Sequence, residues 1–128
     1  MSRNIIPNPT DAQETLVLLK KMPTGGGSDR TLKKDIRNLP ASLKRVMKLR
    51  PVVWHWKDEK VGENQEYGFI AQEVEKIMPD LVSIDTWVDG TERKFLSSQK
   101  MVPFLVAAIQ EQQVEIDKLR AEIESQKQ

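Results

Sequence analysis

Cysteine is absent from the chain, which excludes disulfides and thiolate catalysis. Histidine occurs once, at His55. That is too few for a histidine-rich metal site, and no carboxylate spacing suggests a calcium loop. Neither a metal nor a cofactor is expected. Aromatic residues make up only 5% of the chain and hydrophobic residues 38%, so the core is modest and association between copies is a natural second source of stability. No apolar run approaches the roughly 18 residues of a membrane span, and no basic-then-apolar leader opens the chain. The expectation is a soluble protein with no membrane partner. Charge of one sign is lacking as well: 20 Lys and Arg face 19 Asp and Glu. A nucleic-acid binder carries a clearer basic excess. The acid-rich stretch 111–124 also argues against a small DNA-binding domain that dimerises through its last helix.

The residues that organise the chain are Gly25-Gly26-Gly27-Ser28-Asp29-Arg30-Thr31-Leu32-Lys33-Lys34-Asp35-Ile36. Residues 1–27 form an arm, extended at Pro7 and Pro9. Residues 12–21 suit either a short helix or a strand, because periodicity does not separate the two over so few positions. Three successive glycines then let the backbone approach other groups closely. Ser28 or Asp29 is placed to cap a helix over 31–36, with Lys33 and Lys34 in its first turns.

Beyond the junction the chain alternates short elements. Leu43, Val46, Met47 and Leu49 predict a helix over 41–49, stopped by Arg50-Pro51. Residues 52–57 predict a strand, with Trp54 and Trp56 on one face and Val53 and His55 on the other. A strand at 67–70 leads into a helix at 71–78 whose apolar side is Ile70, Val74, Ile77 and Met78. Asp89-Gly90 predicts a β-hairpin with its tip at 88–91, with Trp87 over one end.

The last helix is predicted to start near 100–102, since Pro103 is tolerated in a first turn, and to run to Gln126. Val102, Ile109, Ile116 and Ile123 recur every seven residues, as do Leu105, Gln112, Leu119 and Gln126. Taken as a and d positions they make a coiled-coil seam of about three heptads. Phe104, Leu105, Val106 and Ala108 make 102–109 apolar nearly all round, suited to packing on its own domain. Past Glu111 only a narrow stripe is apolar, and a narrow stripe calls for a partner helix. Glu115 and Arg120 are offset for a charge pair between parallel neighbours, of small value.

A serine hydroxyl needs a base to attack a carbonyl. A lysine serves where burial or a neighbouring cation keeps its amine neutral. Ser28 with Lys33, or with the adjacent Lys34, would make such a pair without histidine or cysteine. Attack on the carbonyl before it would place the scissile bond at Gly27–Ser28, with backbone N–H groups near the helix start as oxyanion donors. The competing reading of Ser28 is a helix cap alone. A phosphate loop is rejected, because the Gly-Lys-Ser/Thr ending and a preceding strand are missing.

Four ordered motifs carry a resemblance. They are Ser28-Asp29-Arg30 with Lys33, Asp35 and Ile36; Leu49-Arg50-Pro51-Val52 with Trp56; Tyr67-Gly68-Phe69-Ile70-Ala71-Gln72-Glu73-Val74; and Leu105-Val106-Ala107-Ala108-Ile109-Gln110-Glu111 with its coiled coil. Together, over about 28–123, they resemble the peptidase S74 family. Its members are C-terminal intramolecular chaperone domains of phage tailspikes, endosialidases and tail fibres, found also in myelin-regulatory-factor-type transcription factors. Gln112 departs from the family's leucine at that place.

The resemblance implies a homotrimer that aligns the upstream fibre or tailspike region of the same chain in the host cytoplasm during virion assembly. It then implies self-release at Gly27–Ser28, so that the chaperone is absent from the mature virion. It also implies a dyad of Ser28 and Lys33, with Asp29 and Lys34 as possible support. The expected fold is α+β, a small mixed helix and short-strand domain with a β-hairpin and a long C-terminal coiled-coil helix. The expected segments are an upstream arm at 1–27, a chaperone core at 28–100 and the helix at 101–128. The trimer seam is read as Leu105, Ile109, Gln112, Ile116, Leu119 and Ile123. A non-cleaving assembly module of the same fold, with Ser28 only a cap, is the alternative.

Overall fold

In a computed structural model the described residues are 13–14 and 26–127. Apart from residues 13–14, which are helical, the stretch 12–21 read as helix or strand and most of the arm lie outside them. The chain divides into two units, residues 1–37 and 38–128. Among the described residues of the first, regular structure past Gly26 is a single 3-10 turn, Arg30–Leu32.

The second unit is mixed α and β. Its order is α1 (Leu43–Val46), β1 (Val52–Trp54), β2 (Glu66–Gly68), α2 (Ala71–Glu75), a 3-10 turn Pro79–Leu81, β3 (Val82–Thr86), β4 (Glu92–Leu96) and α3 (Ser98–Gln126). The strands form two separate antiparallel hairpins, β1 with β2 and β3 with β4. In the first, Val53 stands opposite Tyr67 and the ladder ends at Trp54 opposite Glu66. The expected strand to residue 57 is therefore cut short, because the partner offers only three residues. The facing is as the alternation predicts: Trp54 and Trp56 are half-buried, Val53 and His55 exposed. The Trp56 ring meets Trp54 edge-on at 4.5 Å and stacks on Trp87 at 5.5 Å, and Trp87 lies 6.0 Å from Phe95. An aromatic row thus ties the two hairpins together. Gly62 makes room for it, since a Cβ there would stand 3.0 Å from Trp56 Cδ1.

The second hairpin turns at Asp89-Gly90, with Gly90 at φ 82°, a conformation that favours glycine. Trp87 N–H donates to the Thr91 carbonyl at 2.7 Å. Asp89 Oδ1 accepts from both Thr91 N–H at 3.0 Å and Thr91 Oγ at 2.6 Å. Those bonds hold the Asp89 carboxyl below the ordinary aspartate range.

The core consists of Val74, Met78, Leu81 and Met101, with Val46, Leu49, Phe69, Ile77, Val82, Leu96 and Phe104 packed against it. Val74 and Met78 come from one apolar side of α2 and the turn after it, spaced as a helix requires. Lys94 of β4 is bonded to Glu75 of α2 at 2.6 Å.

Helix α3 begins at Ser98, two residues before its predicted start, so Pro103 lies inside the helix and not in its first turn. The ring removes one N–H near the end of the helix, where the Ser97 hydroxyl, accepting from Lys100 N–H at 3.4 Å, supplies a cap. Met101 and Ala108 are buried and Phe104, Ala107 and Glu111 half-buried. Val102, Leu105, Val106 and Ile109 are exposed, so only one side of 102–109 packs on its own domain. Arg45 of α1 sits over the Phe104 ring at 5.2 Å. Glu111 reaches α1 as well: its Oε2 accepts from Ser42 N–H at 2.7 Å and Leu43 N–H at 2.9 Å. From Gln112 to Lys127 every residue is exposed.

Candidate active site at the glycine junction

The junction is built from its backbone. Asp29 is extended, at φ −61° and ψ 138°, and its Oδ1 accepts from Thr31 N–H at 2.8 Å and Thr31 Oγ at 2.6 Å. Asp29, not Ser28, is therefore the cap, and what it caps is three residues of 3-10 helix, not a helix over 31–36. A charged, compact acceptor two residues before a free N–H closes such a turn readily. The Thr31 hydroxyl and then its N–H hold the Asp29 carboxyl below the ordinary aspartate range. Leu32 N–H bonds the Asp29 carbonyl at 3.0 Å and Lys33 N–H the Arg30 carbonyl at 3.1 Å. Lys33 then returns to extended backbone.

This single turn folds the chain back enough for a lysine side chain to span it. Lys33 Nζ lies 2.7 Å from Ser28 Oγ, donating to it. The distance is within reach for proton transfer in either direction. Lys33, rather than Lys34, makes this contact. Residues 26–37 are all exposed, and Gly26 has open space around the position of a Cβ. The amides of Thr31, Leu32 and Lys33 are already committed to protein acceptors, so these three do not serve as oxyanion donors while the turn is intact. Asp35 has φ 55°, a left-handed conformation that aspartate tolerates better than most side chains.

The other sequence-derived residues lie on α3. Ile109, Ile116, Leu119 and Ile123 are exposed to between 41% and 64%, and Leu105 to 36%; Gln112 is exposed with them. They form a stripe with no partner among the described residues, as heptad spacing on one helix dictates. Glu115 contacts Lys118 at 3.7 Å in the single chain. Two features escape the sequence motifs: the Thr31 hydroxyl as the second half of the turn, and Glu111 as the cap of α1. An Asp-x-Thr spacing was a usable signal for the first. Arg50 and Glu73, drawn from two separate motifs, form a bidentate pair at 2.8 and 2.6 Å.

Residues 28–83 match the Peptidase S74 family model, described as chaperone of endosialidase. Over that stretch the chain is similar to the Peptidase S74 family. The match opens at Ser28 and takes in the turn, α1, the first hairpin, α2 and the start of β3; the second hairpin's return strand and α3 lie beyond it. Comparison with curated proteins gives no match. The family's description supports an intramolecular chaperone role, and its name supports peptidase chemistry at most.

Proposed function

We propose that this protein is an intramolecular chaperone that trimerises, aligns the phage tail fibre or tailspike chains to which it is joined, and releases itself by cutting Gly27–Ser28. The observation that carries the reading is the 2.7 Å approach of Lys33 Nζ to Ser28 Oγ at the first residue of the family match.

The chemistry follows from that pair. With its amine neutral, Lys33 takes the Oγ proton as Oγ bonds the Gly27 carbonyl carbon. The tetrahedral centre collapses by breaking the bond to the Ser28 nitrogen, which leaves as an amine carrying the proton. An ester joins Gly27 to Ser28 Oγ. Water, activated by the same lysine, hydrolyses it to the Gly27 carboxylate and a free Ser28 hydroxyl. A lysine is a base only where water is excluded or another cation is close. Both members of the pair are exposed in the single chain, so covering them is the step left to assembly. The apolar stripe of α3 supports assembly through that helix, and the resemblance supplies the number three.

The arrangement suits the task. Strand pairing between fibre chains is slow and prone to wrong register. A terminal module that associates first raises the effective concentration of the chains and sets their alignment. Its removal in the host cytoplasm leaves the finished fibre kinetically trapped in its assembled state. Intact-mass spectrometry with light scattering tests this. Wild type is expected to be a trimer that splits into 1–27 and 28–128, while Ser28→Ala and Lys33→Ala stay whole as trimers. A wild type that trimerises and stays whole overturns the protease and leaves an assembly module.

A further inference from the structure

We infer that the Asp29–Thr31 staple is the positioning element of the Ser28–Lys33 pair, and that Thr31, through its hydroxyl, sets how often the lysine amine reaches the serine. This rests on the self-cleavage proposed above and adds a residue to it. The two side chains are five residues apart, and both are exposed. Among the described residues 26–37 no side chain is buried. The hydrogen bonds at hand are those of one 3-10 turn, and three residues of 3-10 helix do not persist unaided in water. What marks this turn off is the Asp29 carboxylate, which accepts twice from one residue, at 2.8 Å from the Thr31 amide and 2.6 Å from its hydroxyl. Bonds to an ionised acceptor are about twice as strong as neutral ones. Those two fix the direction of the chain from Ser28 to Leu32. Lys33 follows directly, and its stem has only to close the remaining gap. A pair that must meet before reacting gains rate in proportion to the time spent in contact.

The molecule contains its own control. Asp89 and Thr91 make the same two bonds, at 3.0 and 2.6 Å, at the tip of the second hairpin. That staple holds a turn with no nucleophile beside it.

The test follows cleavage of the full chain over time by intact mass, in wild type, Thr31→Val, Thr31→Ser and Thr91→Val, with trimer content and melting measured alongside. Thr31→Val keeps the shape and removes the hydroxyl, and is expected to cleave about tenfold more slowly, the effect of about 1.4 kcal/mol. Thr31→Ser restores the donor and is expected within about twofold of wild type. Thr91→Val is expected to cleave at the wild-type rate. Thr31→Val at the wild-type rate overturns the proposal, as does failure of Thr31→Ser to rescue, or equal slowing by Thr91→Val. If wild type does not cleave, the protease reading fails separately, and positioning is judged on the intact chain. A nuclear Overhauser contact between the Ser28 β and Lys33 ε protons, present in wild type and weakened in Thr31→Val, supports it; an unchanged or absent contact overturns it.

Discussion

At the junction, hydrogen bonds among the described residues span five positions or fewer, and every side chain from 26 to 37 is exposed. In the second unit the contacts that matter are distant in sequence. Val74, Met78, Leu81 and Met101 meet in one cluster, and Glu111 reaches back to Ser42 across 69 positions. The contrast separates two tasks. The geometry of the Ser28–Lys33 pair is written in about six consecutive residues and needs no core. The stability of the unit that carries α3 is written in residues that only the fold brings together. The proposed self-cleavage would sit on the local side of that division, on a pair that is open to water in the single chain.

The largest effect that sharpens the contrast comes from the core. Met78→Ala and Met101→Ala each remove a side chain that is 2% exposed, and each is expected to cost about 2–5 kcal/mol in urea unfolding. Arg30→Ala is expected to stay within about 0.5 kcal/mol of wild type, as an exposed substitution does. Protein concentration has to be held fixed, because any association between copies would add to apparent stability. A junction substitution that destabilises as much as Met101→Ala would break the contrast outright.

A smaller effect is expected at Glu111. Its carboxylate is the acceptor for two amides at the start of α1, one of them on Ser42, which is buried. Glu111→Ala leaves those donors without their partner and is expected to cost about 1–3 kcal/mol in the same unfolding measurement. Glu111→Gln keeps an acceptor oxygen, so it should fall between Ala and wild type. If Ala and Gln are both neutral, α1 is held by its apolar contacts alone.

How much of this the sequence revealed depended on range. Local signals were readable. Asp89-Gly90 gave the hairpin tip, alternation gave the facing of Trp54 and Trp56, and the heptads gave the exposed stripe of α3. The family motifs brought out Ser28 and Lys33, five residues apart, which one turn brings together. The cap at the junction was left open, because Ser28 and Asp29 are both good caps; geometry shows that Asp29 does the capping while Ser28 is left to Lys33, and that the helix expected over 31–36 is a three-residue turn. The start of α3 was missed because proline weakens but does not forbid an early helical position when a serine caps ahead of it. Glu111 was invisible as a cap, since its donors are 68 and 69 residues away. Nothing in a linear pattern ties a glutamate on a long helix to the amides of a four-residue one.

Arg50 and Glu73 give the smallest expected effect, and it tests whether an ion pair between two motifs belongs with the core or with the junction. They meet bidentately, but their side chains are 62% and 40% exposed, and surface pairs are worth little. The bond from Arg50 holds the Glu73 carboxyl below the ordinary glutamate range. A carboxyl whose folded value is depressed adds stability at pH above its unfolded value, about 4.3, and loses that contribution as pH falls through the lower, folded value. Arg50→Ala is therefore expected to lower the melting temperature slightly at pH 7, with the difference from wild type shrinking as pH falls through the depressed, folded value. Asp29 and Asp89, also depressed, are common to both proteins and cancel in the comparison. A difference that persists undiminished in acid would mean that Arg50 acts through the packing of its methylene stem. The pair would then count as part of the core's architecture despite its exposure.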